Sequence, residues 1–135
     1  MIKFNEIKVG DYLVVDNDGD KRRGEVTNLN ANEKQVCVDN GIQEFWYETN
    51  QLSPLEITDE ELQNLKFHKE QLEDGIIKYS KGAFRMAIPR DGDFSNMELW
   101  YRDEKRHMLH SIPLHTLQNH FHEMTKVHLN EEVFD

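Results

Sequence analysis

The chain has 135 residues, one Cys, and 16 basic against 26 acidic side chains, for a net charge of −10. That length holds one domain or two very small ones, the lone Cys excludes an internal disulfide and a Cys-built zinc site, and the longest aliphatic run, Leu13-Val14-Val15, cannot span a membrane. The acid excess runs through both parts, with 6 basic and 10 acidic residues in 1–54 and 10 and 16 in 55–135, so direct nucleic-acid binding, which draws on Lys and Arg, is not expected.

No charged, apolar and small-residue leader follows Met1, which reads as a cytoplasmic protein. Seven Phe, four Tyr and two Trp recur along the chain and argue for an ordered body despite a mean hydropathy of −0.80. Fraying is expected after about Leu129.

In chain order, Tyr12–Val15 is the first predicted strand, and Asp18-Gly19 turns it into a second over Arg22–Leu29. Gln35–Val38 follows as the third. Asn40-Gly41 suggests a type I′ turn into Ile42–Glu48. Short strands joined by tight turns mark a small antiparallel barrel or sandwich. After Pro54, Thr58 and Glu61 have capping-box spacing, and the pattern predicts a helix over about 59–68. Strands resume at Gly75–Ser80, at Phe84–Ile88 with Phe84, Met86 and Ile88 on one face, at Met97–Arg102 and at Arg106–Ile112. Pro113 suits the first turn of a helix over about 113–125, with Leu114, Leu117, Phe121 and Met124 forming one apolar stripe. The expected fold class is α+β: a β-barrel over 1–54, then an α-ββββ-α unit over 55–135, short enough to share one core.

Three stretches carry a resemblance: Ile7-Lys8-Val9-Gly10-Asp11-Tyr12, then Pro54 to Leu62, and His115-Thr116-Leu117-Gln118-Asn119 followed by Thr125 and Leu129. Together they are similar to a group of small uncharacterised bacterial proteins, some of them phage-borne, a resemblance that supplies no catalytic residues. The first 54 residues also resemble SH3-like modules of the Tudor or KOW kind, through the Val9-Gly10-Asp11-Tyr12 start, the Gly24-Glu25-Val26 strand, and an aromatic strand ending before Leu52-Ser53-Pro54. Such modules bind peptides, modified side chains or nucleic acid, and fold alone does not choose among these.

Six of seven His lie between His107 and His128. His115 and His122 share a helix face but stand roughly 10 Å apart along its axis, beyond the reach of one zinc ion. No metal or cofactor is expected, and the histidines read as an exposed or interfacial set able to make association pH-sensitive. Asp16, Asp18 and Asp20 lack the Gly and Glu that a calcium loop requires, since Lys21 and Thr27 occupy those places. Cys37, between Val36 and Val38, has no neighbouring base and reads as core. No phosphate loop or nucleophile motif is present, so no catalytic residue is assigned and an enzyme is not expected.

The aromatics offer more. Alternation puts Phe45 and Tyr47 on the barrel side and Trp46 outside with Glu44 and Glu48, a setting suited to a Lys or Arg side chain. Trp100 shares its face with Glu98 and Arg102. The competing reading buries both Trp residues, as Trp commonly is. The expected function is a non-catalytic interaction module that binds a basic protein partner through Glu44, Trp46, Glu48 and Trp100, with self-association left open. Two alternatives stand beside it: a phage-type acidic inhibitor of a host nucleic-acid-binding protein, and a small metal-dependent enzyme using the C-terminal histidines.

Overall fold

The structure, a computed structural model, describes Ile2–Leu129; the stretch predicted to fray lies outside the described residues. No helix among the described residues is long and apolar enough to cross a membrane. The fold is α+β, with two antiparallel five-stranded sheets. The chain divides into two compact units, one formed by residues up to Glu56 with Pro113–Asn119, the other by Ile57–Ile112 with the residues from His120 on.

In the first unit β1 (Tyr12–Asn17), β2 (Asp20–Asn30), β3 (Gln35–Asp39) and β4 (Glu44–Glu48) form a meander, and β5 (Leu52–Ser53) returns to β1, giving the order β4-β3-β2-β1-β5. Asp18 and Gly19 both take positive φ, so the first hairpin has the I′ turn its sequence predicts. The next hairpin differs from expectation. Only Gly41 has positive φ, and Asn40 stays in the ladder, its N–H donating to the Gln43 carbonyl at 3.1 Å. The reason is the Asn40 side chain, whose Oδ1 accepts from the N–H of Ile42 and of Gln43 and shifts the turn onto Gly41-Ile42. Inward residues Leu13, Val15, Val26, Val36, Val38, Tyr47 and Leu52 make the core with Ile2 and Ile7. Gly24 faces it where a Cβ would stand 2.4 Å from Val38 Cγ1, so only Gly permits the close approach of β3.

The expected barrel closure does not occur. Among the described residues β4 pairs only with β3, and the two-residue β5 only with β1, so the sheet stays open with two free edges.

Two of the motifs noted in the sequence meet in this unit. The buried Gln118 side chain accepts from the Tyr12 N–H at 2.8 Å and donates to the Gly10 carbonyl at 2.9 Å. Asn119 donates to the Glu6 carbonyl. The residues His115 to Asn119 thus complete the backbone hydrogen bonding of the segment that leads into β1, a structural role.

The second unit opens with α1 (Asp59–Asn64), capped by the Thr58 hydroxyl, which accepts from the Glu61 N–H. The helix is shorter than predicted. Lys66 takes φ 71°, Phe67 N–H bonds the Leu62 carbonyl, and Lys66 N–H bonds the Gln63 carbonyl. This is a Schellman stop with Lys in the place Gly usually holds, so no residue type announced it. The chain instead enters β6 (His68–Gln71), an edge strand of His, Lys, Glu and Gln whose composition gives no strand signal. It continues as β7 (Ile77–Lys81), β8 (Phe84–Ile88), β9 (Met97–Tyr101) and β10 (Glu104–Met108), a meander of five strands where four were predicted. Alternate residues Ile77, Tyr79, Phe84, Met86, Ile88, Met97 and Leu99 are buried on one face. Phe84 meets Phe121 edge-on at 4.9 Å and Phe67 at 6.2 Å, so α2 (Leu114–Thr125) contributes its later turns to this core. The buried Lys81 ammonium donates to the carbonyls of Leu65 and Leu129.

Candidate functional site

Trp46 lies in the middle of β4 and is 46% exposed, with exposed Glu44 and Glu48 on the same face. Of the two inward residues Tyr47 is 1% exposed, while Phe45, which sequence alternation assigned to the core, is 46% exposed. The difference follows from position. Tyr47 opposes Val36 and its hydroxyl accepts from Asn17 and the buried Asn40, whereas Phe45 lies toward the hairpin end of an uncovered edge strand. Its ring keeps only an edge contact with Tyr47 at 6.3 Å, and Ile42 beside it is 68% exposed. Ile42, Phe45 and Trp46 are therefore an exposed apolar group on one sheet edge.

The charged side chains nearest this group are Glu44 and Glu48 on β4 and Asp39 on β3. Directly paired residues run Tyr12, Glu25, Asp39, Glu44 across four adjacent strands. Paired positions on neighbouring strands bring Cβ atoms to about 5 Å, and like charges so placed repel. Asp39 accepts from the Gly41 N–H, which ties one oxygen. Glu48 accepts from Gln35 Nε2 and caps the 3-10 turn Thr49–Gln51. Glu44 has no side-chain partner among the described residues. In the next row Arg23 lies over the Tyr12 ring at 4.3 Å, so a guanidinium already rests on an aromatic face of this sheet.

Trp100 has a different setting. It is half-buried, and its paired neighbours are Arg85 on β8 and Lys105 on β10. The adjacent row runs Glu70, Lys78, Ala87, Glu98, His107, and the short Ala87 leaves a cleft of about 470 Å³ over the sheet. Its rim groups are paired already: His107 Nε2 donates to Asn96 Oδ1 at 2.6 Å, and Glu98 meets Lys105 at 3.2 Å. The neighbours of Trp100 could not be read from the sequence, because cross-strand pairing sets them.

Apart from one stacked pair, the histidines among the described residues have separate settings. Buried His115 is held below its ordinary pKa by desolvation, with Glu6 opposing and Lys8 reinforcing the shift. His120 Nδ1 accepts from Arg106 at 2.7 Å, and burial followed by the guanidinium charge lowers its pKa. His122 stacks on His128 with ring centroids 4.3 Å apart and rings nearly parallel, and the Nδ1 of each is buried without a hydrogen-bond partner among the described residues. Among the described residues no three His, Cys, Asp or Glu side chains are grouped to hold a metal. Asp16 serves its hairpin, accepting from the Gly19 N–H, and Asp20 pairs with Arg22. Cys37 is buried opposite Trp46.

Sequence reasoning missed Phe45 and Ile42 as surface residues, and missed that Asp39 is paired with Glu44 on one side and Glu25 on the other. Only strand register, with the bulge between Val26 and Asn28, brings those carboxylates into line. No protein-family model, curated protein or solved structure matches the chain.

Proposed function

We propose that the chain is a non-catalytic cytoplasmic interaction module whose first sheet binds a basic segment of a protein partner. The observation that carries this reading is Trp46, 46% exposed on an edge strand between Glu44 and Glu48. An exposed Trp face bordered by carboxylates attracts Lys or Arg by cation–π and Coulomb terms together. The directly paired Asp39 and Glu44 add to it, because a bound cation relieves the repulsion between those two carboxylates. The strand order, with β5 returning to β1 after a 3-10 turn, supports the SH3-like reading of this unit, although its sheet is open. The paired neighbours of Trp100 are the cations Arg85 and Lys105, so the proposed cation site is assigned to Trp46 and the first sheet.

The test uses Trp100→Phe protein, so that fluorescence reports Trp46 alone, titrated with a Lys- and Arg-rich peptide. Saturable quenching that weakens with salt is the expected result, together with a roughly tenfold loss of affinity on Trp46→Ala, read by anisotropy of a dye-labelled peptide with the fold intact by circular dichroism. Unchanged affinity in Trp46→Ala sinks the reading. The carboxylates of Asp39, Glu44 and Glu48 favour one other role, an acidic decoy that covers the nucleic-acid site of a host protein. Competition between the chain and an oligonucleotide for one partner would mark it.

A further inference from the structure

We infer that the free edge of β4 takes an extended peptide as an added strand, with basic and apolar residues alternating. This rests on the proposed Trp46 surface and specifies how a partner occupies it. The direction of the backbone is the first argument. Asn40 N–H bonds the Gln43 carbonyl, and in an antiparallel ladder bonded pairs alternate with non-bonded ones. Carried along the register, the pairs Val38–Phe45 and Val36–Tyr47 are bonded, while Asp39–Glu44, Cys37–Trp46 and Gln35–Glu48 are not. The amides and carbonyls of Glu44, Trp46 and Glu48 therefore point away from β3. Two bonds agree: Cys37 O accepts from Thr27 on the β2 side, and Glu48 N–H donates outward to Gln51 Oε1. Gln51 thus closes the far end, and Glu44 and Trp46 keep their backbone groups free among the described residues.

Side chains choose the occupant. An added strand sends alternate residues to opposite faces. One set meets Glu44, Trp46 and Glu48 and is basic. The other meets exposed Phe45 and is apolar. A second copy of this chain is disfavoured by the same charges. Antiparallel pairing of two β4 edges about Trp46 sets Glu44 of one against Glu48 of the other, and like charges directly opposite repel.

The experiment is amide hydrogen exchange on the full chain with a blocked peptide of alternating Lys and Val. A block peptide of the same composition serves as control, together with two versions N-methylated at one or the other set of alternate residues. Slowed exchange at Glu44 and Trp46 is expected, with Phe45 and Tyr47, already bonded to β3, unchanged. The alternating peptide should bind about tenfold tighter than the block peptide, and only one N-methylated set should lose binding. Equal binding of all peptides without amide protection, still dependent on Trp46, overturns strand addition and leaves the surface reading standing. No binding by any of them at low salt overturns both. Concentration-dependent dimerisation that protects the same amides assigns the edge to self-pairing and also overturns the proposal.

Discussion

The two sheets have the same strand number and hand their charges to different uses. In the second, Lys69 meets Asp59 and Asp91, Lys78 meets Glu70, Lys105 meets Glu98, and Arg106 meets Glu104 and Glu123. Its edge strands β6 and β10 are polar, with charges answered on the spot. In the first, β4 carries Ile42, Phe45 and Trp46 at or near an open edge, beside carboxylates that face one another. A sheet whose surface charges are internally paired is a scaffold. An edge strand that sets carboxylates beside exposed aromatic rings has interaction energy available for a partner.

The largest test of this contrast is Phe to Ala in each sheet. Phe84→Ala, in the second core, should cost about 3–5 kcal/mol in urea unfolding, while Phe45→Ala should stay within about 1 kcal/mol. Equal costs would mean that the β4 edge is covered. Next is Gln118→Ala, which strips the Gly10 carbonyl and Tyr12 N–H of their partner and should lower stability by about 1–3 kcal/mol. No loss would show that the ordering of the segment before β1 does not depend on it. Trp46→Ala should weaken binding of a basic peptide by about tenfold, ~1.4 kcal/mol, with Trp100→Ala near wild type. If the two Trp variants lose equally, the electrostatic distinction between the sheets is wrong.

A pH series gives a smaller effect. His115 and His120 both titrate below the ordinary His value in the folded chain, so the unfolded chain binds protons first. Their contribution is full above about pH 6.5, the unfolded value, and is lost as pH falls through the folded values. Stability should decline on acidification below about pH 6.5, and His115→Leu should flatten the decline. A profile unchanged by the substitution would remove His115 from the account. Smallest is Lys105→Ala, a solvent-exposed ion pair, expected to change stability by less than about 1 kcal/mol.

The sequence made much of this visible. Period-two alternation at Phe84, Met86 and Ile88 showed their burial, and Asp18-Gly19 showed its turn, because both signals live in neighbouring residues. The Glu44-Trp46-Glu48 face was legible for the same reason. What failed were events decided at a distance or by an atypical residue. Lys66 ends α1 in a conformation usually given to Gly, and β6 is a strand only because β7 bonds it. Closure of the first sheet was inferred from short strands joined by tight turns, a pattern that open and closed sheets share, and a two-residue β5 leaves it open.

By itself, then, the sequence determined the α+β class, most strands, both helices and the acidic face around Trp46, since each depends on spacing along one segment. Tertiary structure alone decided that Glu25 and Asp39 line up with Glu44, that Arg85 and Lys105 flank Trp100, and that β4 has a free edge. Those are cross-strand relations, and the register that sets them is a property of paired backbones rather than of any single stretch of chain.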